Sequence, residues 1–431
     1  MAMKYTVGDR VEVKTKEGKF TGFVMPSADA KILTLKLDTG YNLGIKLDKD
    51  VKVKKIGTLP KEKPVNIKPP IKKGLPNVVL IATGGTITSK VDYKTGGVVS
   101  LKDPEEVLLA TPELLHIVNI KKVIQPFTIM SEDMSAKEWQ IIAKEVARAL
   151  NSDDISGVIV THGTDTLHYT AAALSFMLKN LNKPVALVGG QRSSDRGSFD
   201  GGMNLICAAH YCKSNIAEVA IVMHANSADD FCFASRGTNV KKMHTSRRDA
   251  FRPINELPLA KIWPNGKIEV TNKIIRNRNN KEKVRADIDF NDKVALVKFF
   301  PGANPEILGH FIDKGYKGII IEATGLGHVA ANPANKNTWL ETIREAVGKG
   351  VFIGFAPQCL YGRLDPYVYS PQRQLLDAGV TFLGSMLSET AFVKLGCVLA
   401  HTRVKAEVKD LMLKNISGEM VEKISPETFL Y

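Results

Sequence analysis

The strongest constraint on this chain comes from two apolar runs, each ending abruptly in glycine and hydroxyl residues. Val78-Val79-Leu80-Ile81-Ala82 runs into Thr83-Gly84-Gly85-Thr86-Ile87, and Val158-Ile159-Val160 runs into Thr161-His162-Gly163-Thr164-Asp165-Thr166. Unbroken apolar runs of this length read as strands buried on both faces, the kind found in parallel sheets. Both loops would then lie on one rim of such a sheet. Ligands of open α/β sheets bind outside the carboxyl ends of the strands, so the pair marks a candidate active site.

The chain around these loops divides by pattern. Residues 4–57 show period-two alternation in five short runs, Arg10 to Lys14, Phe20 to Met25, Ile32 to Leu37, Tyr41 to Leu47 and Val51 to Ile56. Five short strands in so few residues predict a small β-barrel of the SH3-like or Sm-like kind over 1–57. Residues 58–76 carry Pro60, Pro64, Pro69, Pro70 and Pro76 among lysines, the composition of a stiff extended linker. From Asn77 strands alternate with helices, the signature of a parallel α/β domain, here 77–271. Asp103-Pro104-Glu105-Glu106 opens one helix. Ser135 and Glu138 form a capping box ahead of a second, with Trp139, Ile142, Ala143, Val146 and Leu150 on one face. Leu167, Ala171, Leu174, Leu178 and Leu181 form the same stripe after the second loop. Asn226 to Phe251 reads as one long polar loop, and Asn272 to Arg285 as an exposed basic connection within 272–290. A second, smaller α/β domain follows at 291–431, ending in a helical amphipathic tail over Val404 to Glu422. No internal repeat is visible.

At 431 residues the chain has room for two or three domains. No apolar run approaches the roughly 20 residues that cross a bilayer, and Met1 to Arg10 has no signal-like apolar region, so a cytoplasmic location is expected. Cys207, Cys212, Cys232, Cys359 and Cys397 are odd in number and lack zinc-site spacing; reduced thiols are expected, with Cys359 the one to watch as a nucleophile. The formal net charge is +14, and residues 1–76 hold 17 Lys/Arg against 8 Asp/Glu. That excess suits either an RNA or acidic partner or a solvated lysine-rich surface.

Thr86, Thr164 and Asp165 supply two hydroxyls and a carboxylate. A hydroxyl needs a base nearby before it becomes a useful nucleophile. There is no Gly-x-Ser-x-Gly elbow and no Walker loop, which argues against an α/β-hydrolase and a nucleotide-binding loop. Alone, Thr-Gly-Gly-Thr is also compatible with a glycine turn leading into a hairpin.

Taken together, Ala82-Thr83-Gly84-Gly85-Thr86-Ile87, Ser131-Glu132-Asp133-Met134, Thr161-His162-Gly163-Thr164-Asp165-Thr166 and Val240-Lys241-Lys242 resemble the bacterial-type L-asparaginase family over roughly Asn77 to Leu399. The resemblance implies two asparaginase-like α/β domains and no metal site. It makes Thr86 the nucleophile toward a side-chain amide, with Thr164, Asp165 and Lys242 as its relay; Thr164 as the nucleophile is the open alternative. Lys242 must shed a proton to act as a base, helped by desolvation or a nearby cation such as Lys241 and opposed by Asp165. The resemblance also implies substrate binding by Ser131, which would hold the α-carboxylate, by Glu132 near the α-ammonium, by Tyr93, which would orient the nucleophile, and by the backbone at Gly85 and Gly163. His162 is expected to be a buried, hydrogen-bonded loop residue.

The barrel and the segment Met243 to Arg252 have no match in free-standing asparaginases. With them the resemblance extends over the whole chain, to the family of D subunits of archaeal glutamyl-tRNA(Gln) amidotransferases. That family implies hydrolysis of glutamine to glutamate and ammonia. It also implies an E-subunit partner that uses ATP and Mg, no cofactor in this chain, a homodimer within a heterotetramer, and tRNA held mainly through the partner. A stand-alone asparaginase is the alternative, and a non-catalytic RNA-binding scaffold the third.

Overall fold

A computed structural model describes residues 5–58, 69–91, 98–100, 106–279, 281–332 and 338–429. Tyr93, the helix start at Asp103 to Glu105 and most of the proline-rich linker lie outside the described residues.

Strands β1 (Asp9–Lys14), β2 (Lys19–Met25), β3 (Ile32–Leu37), β4 (Asn42–Lys46) and β5 (Lys52–Thr58) form one antiparallel sheet in the order β4-β3-β2-β1-β5. All five strands feed one apolar cluster around Val11, Val13, Val24, Leu33, Leu35 and Ile45. Part of the domain's positive charge is compensated locally, by the pairs Arg10–Asp38, Lys16–Asp50, Lys19–Glu12 and Lys55–Asp9. Lys36 is 1% exposed and reaches out of the barrel to Asp195 of the next domain at 3.6 Å.

The next domain is built from β6 (Asn77–Ala82), β7 (Asn119–Ile124), helix α1 (Ala136–Leu150), β8 (Ile155–Thr161), α2 (Leu167–Met177), β9 (Val185–Val188), α3 (Gly201–Lys213), β10 (Val219–His224) and β11 (Cys232–Arg236). The short strands β12 (Val240–Lys242), β13 (Phe251–Pro253), β14 (Ala260–Ile262) and β15 (Ile268–Val270) complete it. Its main sheet runs β15-β14-β11-β10-β9-β8-β6-β7, parallel from β7 to β10 and antiparallel beyond. Alternation explains the unbroken apolar runs. Val79 and Ile81 pack with Val158 and Val160 under α1 and α2, whereas Val78 and Leu80 pack with Ile159 under α3. Register places Ala82 beside Thr161, so both loops leave the same rim.

The smaller domain is a four-stranded parallel sheet of β16 (Val294–Lys298), β17 (Gly318–Ala323), β18 (Phe352–Pro357) and β19 (Thr381–Phe382). Its helices are α4 (Glu306–Asp313), α5 (Trp339–Gly348), α6 (Ser370–Asp377), α7 (Ser388–His401) and α8 (Lys405–Leu413). Helix α7 joins the two domains: Val393 and Cys397 belong to the core around α1 and α2, while Ala391, Leu395, Val398 and Leu399 belong to its own domain. No helix among the described residues is long and apolar enough to cross a membrane.

Three expectations are corrected. The segment Asn226 to Phe251 is not one loop. It contains β11, buried at all five positions because Arg236 is matched by Glu218 and Glu256, and β12, which pairs with β13. The stripe after the second loop stops at Met177; Leu178 instead pairs with Ala286 in a short ladder. The tail helix ends at Leu413, and Glu419 then draws in the N–H groups of Ile416 and Ser417. The basic connection is exposed at most of its described residues, and Arg278 anchors it: its guanidinium donates to the carbonyls of Ser156, Cys212 and Ser214.

Candidate active site

Three loops meet at the carboxyl ends of β6 and β8. Gly85 holds a left-handed φ of 82°, and a Cβ there would fall 2.4 Å from the Cα and N of Gly163. Only glycine tolerates that conformation and that approach, so the two loops touch backbone to backbone. The residue after each glycine, Thr86 in one loop and Thr164 in the other, is brought to the same seam. Thr86 is half-buried and opens a single 3-10 turn, Thr86–Thr88, held by Thr88 N–H and Ser89 Oγ donating to Gly85 O at 3.1 and 2.6 Å.

The third loop carries Ser131. Ile129 N–H donates to Thr83 O at 3.2 Å, and Thr166 Oγ1 donates to Ser131 O at 2.6 Å, tying this loop to both others. Ser131 is 2% exposed and lies against Gly163, while Glu132, next on the same 3-10 turn, is exposed. Lys242 arrives from β12. Its Nζ donates to Thr164 Oγ1 at 2.9 Å and to Asp165 Oδ1 at 2.6 Å, with the lysine side chain 10% exposed and the aspartate 64%. A hydroxyl, an amine and a carboxylate thus stand in hydrogen-bonded series, with Thr86 on the loop whose glycine touches theirs, an arrangement able to take a proton from a nucleophile.

Lys241 does not act as a free cation beside Lys242. Its Nζ donates to Glu389 at the start of α7, and the two opposite charges compensate each other. Glu389 and His168, whose Nε2 lies 3.9 Å from Glu389 Oε1, are the neighbours that sequence reasoning missed. Glu389 is 148 positions from Lys241, so no spacing could have shown the contact.

His162 is fully buried. Its Nδ1 lies 2.7 Å from Gly163 O, which only accepts, so Nδ1 carries the proton and Nε2 accepts from Thr170 Oγ1 at 2.8 Å. Burial holds its imidazole down to about 4, against 6.5 for an ordinary histidine. Between those values the unfolded chain binds a proton that the folded chain refuses, so stability falls as the pH drops from 6.5 toward 4. This one group accounts for up to about 3 kcal/mol. Urea melts at pH 7 and pH 5 should therefore differ less for His162→Gln than for the wild type, and equal differences would refute the assignment.

All five cysteines are free, and Cys359, on the loop after β18, is the exposed one. Among the described residues, the one grouping with metal-ligand chemistry is Asp287, Asp289 and His401. It lies at the far end of α2, where Asp287 N–H meets Met177 O, and Asp287 already faces Lys179 and Arg285 at 3.8 and 3.7 Å.

The same three segments are matched by known families. Residues 77–276 match "Asparaginase, N-terminal", residues 293–412 match "Glutaminase/Asparaginase C-terminal domain", and residues 5–56 match "GatD N-terminal domain". Among solved structures, the thermostable L-asparaginase from Thermococcus kodakarensis superposes with a TM-score of 0.71 at 28% identity, covering 80% of this chain and 100% of that one. L-asparaginase I from Vibrio cholerae gives 0.68 at 28%, covering 81% and 100%. The D subunits of the glutamyl-tRNA(Gln) amidotransferases of Pyrococcus abyssi and Thermococcus kodakarensis are each 49% identical to this chain; they cover 98% of it, over 97% and 96% of their own lengths. With the barrel, both asparaginase-like domains and the linker between them matched end to end, the chain belongs to the D-subunit family of the glutamyl-tRNA(Gln) amidotransferases.

Proposed function

We propose that this chain hydrolyses glutamine to glutamate and ammonia with Thr86 as nucleophile, and that a partner subunit uses the ammonia to convert Glu-tRNA(Gln) to Gln-tRNA(Gln). The observation that carries the reading is Lys242 Nζ bonded to Thr164 and Asp165 at the seam of the two glycine loops, in a chain with the D-subunit barrel.

In this mechanism Thr86 Oγ attacks the side-chain carbonyl carbon of glutamine. Its proton passes by Thr164 to the Lys242 amine, once that amine has given up a proton and the Thr164–Lys242 hydrogen bond has reversed, while Asp165 orients the amine and stabilises the charge that arrives with the proton. Backbone N–H groups of the first loop steady the oxyanion. The C–N bond breaks as the nitrogen takes up the proton, and ammonia leaves. Water then attacks the acyl-threonine; its proton is drawn off along the same relay, the ester oxygen regains one, and glutamate departs. Ser131 holds the α-carboxylate, Glu132 faces the α-ammonium, and Tyr93 orients Thr86. This chain needs no cofactor; ATP and Mg act in the partner. The assembly is a homodimer within a heterotetramer, working in the cytoplasm, with tRNA held mainly by the partner.

The full-length coverage of solved L-asparaginases favours a second reading, a stand-alone asparaginase. The barrel stands against it, because those asparaginases are covered whole and still leave about a fifth of this chain unmatched, while residues 5–56 match the GatD N-terminal domain. The two readings separate in one assay of ammonia release from glutamine and from asparagine, with and without the partner and Glu-tRNA(Gln). Glutamine hydrolysis should rise by about tenfold or more when both are added. Rapid asparagine turnover by the lone chain, unchanged by either addition, would overturn the proposal.

A further inference from the structure

Lys242 stands on a weak platform. Strand β12 is three residues long and, among the described residues, pairs only with β13, in the register Val240 with Pro253, Lys241 with Arg252 and Lys242 with Phe251. Pro253 has no N–H to give, and a two-stranded ribbon of this size is marginal by itself. The direction of the Lys242 side chain must therefore be set by what anchors its neighbours. Val240 is one anchor, 2% exposed in the core beneath α2.

The other anchor comes from the smaller domain. Lys241 Nζ donates to Glu389 Oε1, and Glu389 is 8% exposed in the first turn of α7. Neighbouring side chains on a strand point to opposite faces, so holding Lys241 fixes the roll of the peptide that aims Lys242 at Thr164 and Asp165. Glu389 is itself fixed. Ser388 Oγ lies 2.6 Å from Glu322 Oε1 and 3.1 Å from Glu389 Oε2, and Thr390 Oγ1 donates to Thr238 O at 2.8 Å, holding the chain two residues before β12. His168 also faces the carboxylate, but burial keeps its imidazole down to about 4, so Lys241 is the cation that Glu389 holds.

We propose that Glu389 is a positioning residue for Lys242: it grips Lys241 from across the domain boundary, so that the relay is assembled only when the smaller domain is docked. The proposal rests on the hydrolase reading of Lys242 given above. Glu389 touches neither substrate nor nucleophile in this scheme and acts through strand β12.

The test uses the complete complex with its partner, Glu-tRNA(Gln) and glutamine, assayed well below the melting temperature of each variant. Glu389→Gln and Lys241→Met should each lower kcat by about 10- to 100-fold with KM for glutamine within about threefold, and the double variant should be no worse than either single one. Lys241→Arg, which keeps the ion pair, should recover most of the rate. A purely structural pair predicts otherwise: kcat of the folded Glu389→Gln enzyme within about twofold of the wild type, or additive losses in the double variant with no recovery in Lys241→Arg. Either result overturns the positioning role and leaves the hydrolase reading standing. A wild-type rate in Lys242→Met would overturn both.

Discussion

Thr86→Ala should abolish glutamine hydrolysis, and Lys242→Met should lower kcat by about a thousandfold while leaving KM within a few-fold. The two losses have different causes. Alanine at 86 removes the oxygen that becomes the ester, so no acyl-enzyme can form. Methionine at 242 keeps the length and apolar stem of lysine but removes the nitrogen that stands 2.9 Å from Thr164 Oγ1, leaving the relay without a proton acceptor. Binding survives because Ser131 and Glu132, on a different loop, are assigned the substrate's α-carboxylate and α-ammonium. Folding should survive as well, since Asp165, the other partner of Lys242, is 64% exposed and its charge returns to water when the pair is broken. Asp165→Asn should be milder than Lys242→Met, because it removes the orienting charge and keeps the base. Mass spectrometry of a quenched reaction locates the acyl group. A peptide modified at Thr164 with Thr86 intact would exchange the roles of the two threonines, and full activity in Thr86→Ala would sink the scheme.

What could be read in the sequence follows from where each constraint is local. Val78 to Ala82 and Val158 to Val160 announce themselves because each packs helices on both faces, which forces an unbroken apolar run and then a sudden change at the rim. The glycine loops announce themselves because there is no room for a Cβ at Gly85, which lies against Gly163, or at Gly163, which lies against Ser131. Strand β11 does not, because its buried Arg236 looks like a surface residue until Glu218 and Glu256 are brought beside it from either side in the chain. The tail fails for a similar reason. Its periodicity past Leu413 continues in sequence, whereas Gly418, at a left-handed φ of 77°, and the carboxylate of Glu419 turn the backbone into a compact loop. Lys241 shows the limit most directly. Its position beside Lys242 suggests a cation that would act on its neighbour, and only the fold supplies the carboxylate that claims it.

The second large effect is on stability and lies in that tail loop. Lys394 on α7 and Glu419 are 1% and 0% exposed, and their charged atoms meet at 2.6 Å. Lys394 Nζ also donates to the carbonyls of Met412 and Lys414 at 2.9 and 2.6 Å, so one ammonium closes the end of α8 and one carboxylate closes the loop after it. Burial pushes the Lys394 ammonium down and Glu419 pushes it back up, so the charged form depends on the pair being intact. Lys394→Met leaves a carboxylate without its cation in the protein interior, together with two carbonyls that lose a donor. The expected loss is about 3–5 kcal/mol, seen as a lower urea midpoint. Lys394→Met combined with Glu419→Gln should recover a substantial part of it, because the uncompensated charge is gone. A Lys394→Met midpoint equal to that of the wild type would mean that the pair is not held as described. The consequence reaches the relay: Ser417 Oγ donates to Ser175 O, and Thr238 Oγ1 donates to Ser417 O, so the same loop braces α2 and the approach to β12. Warming Lys394→Met should therefore inactivate the enzyme before it unfolds the main sheet, with ammonia release falling at a lower temperature than the far-ultraviolet circular dichroism signal.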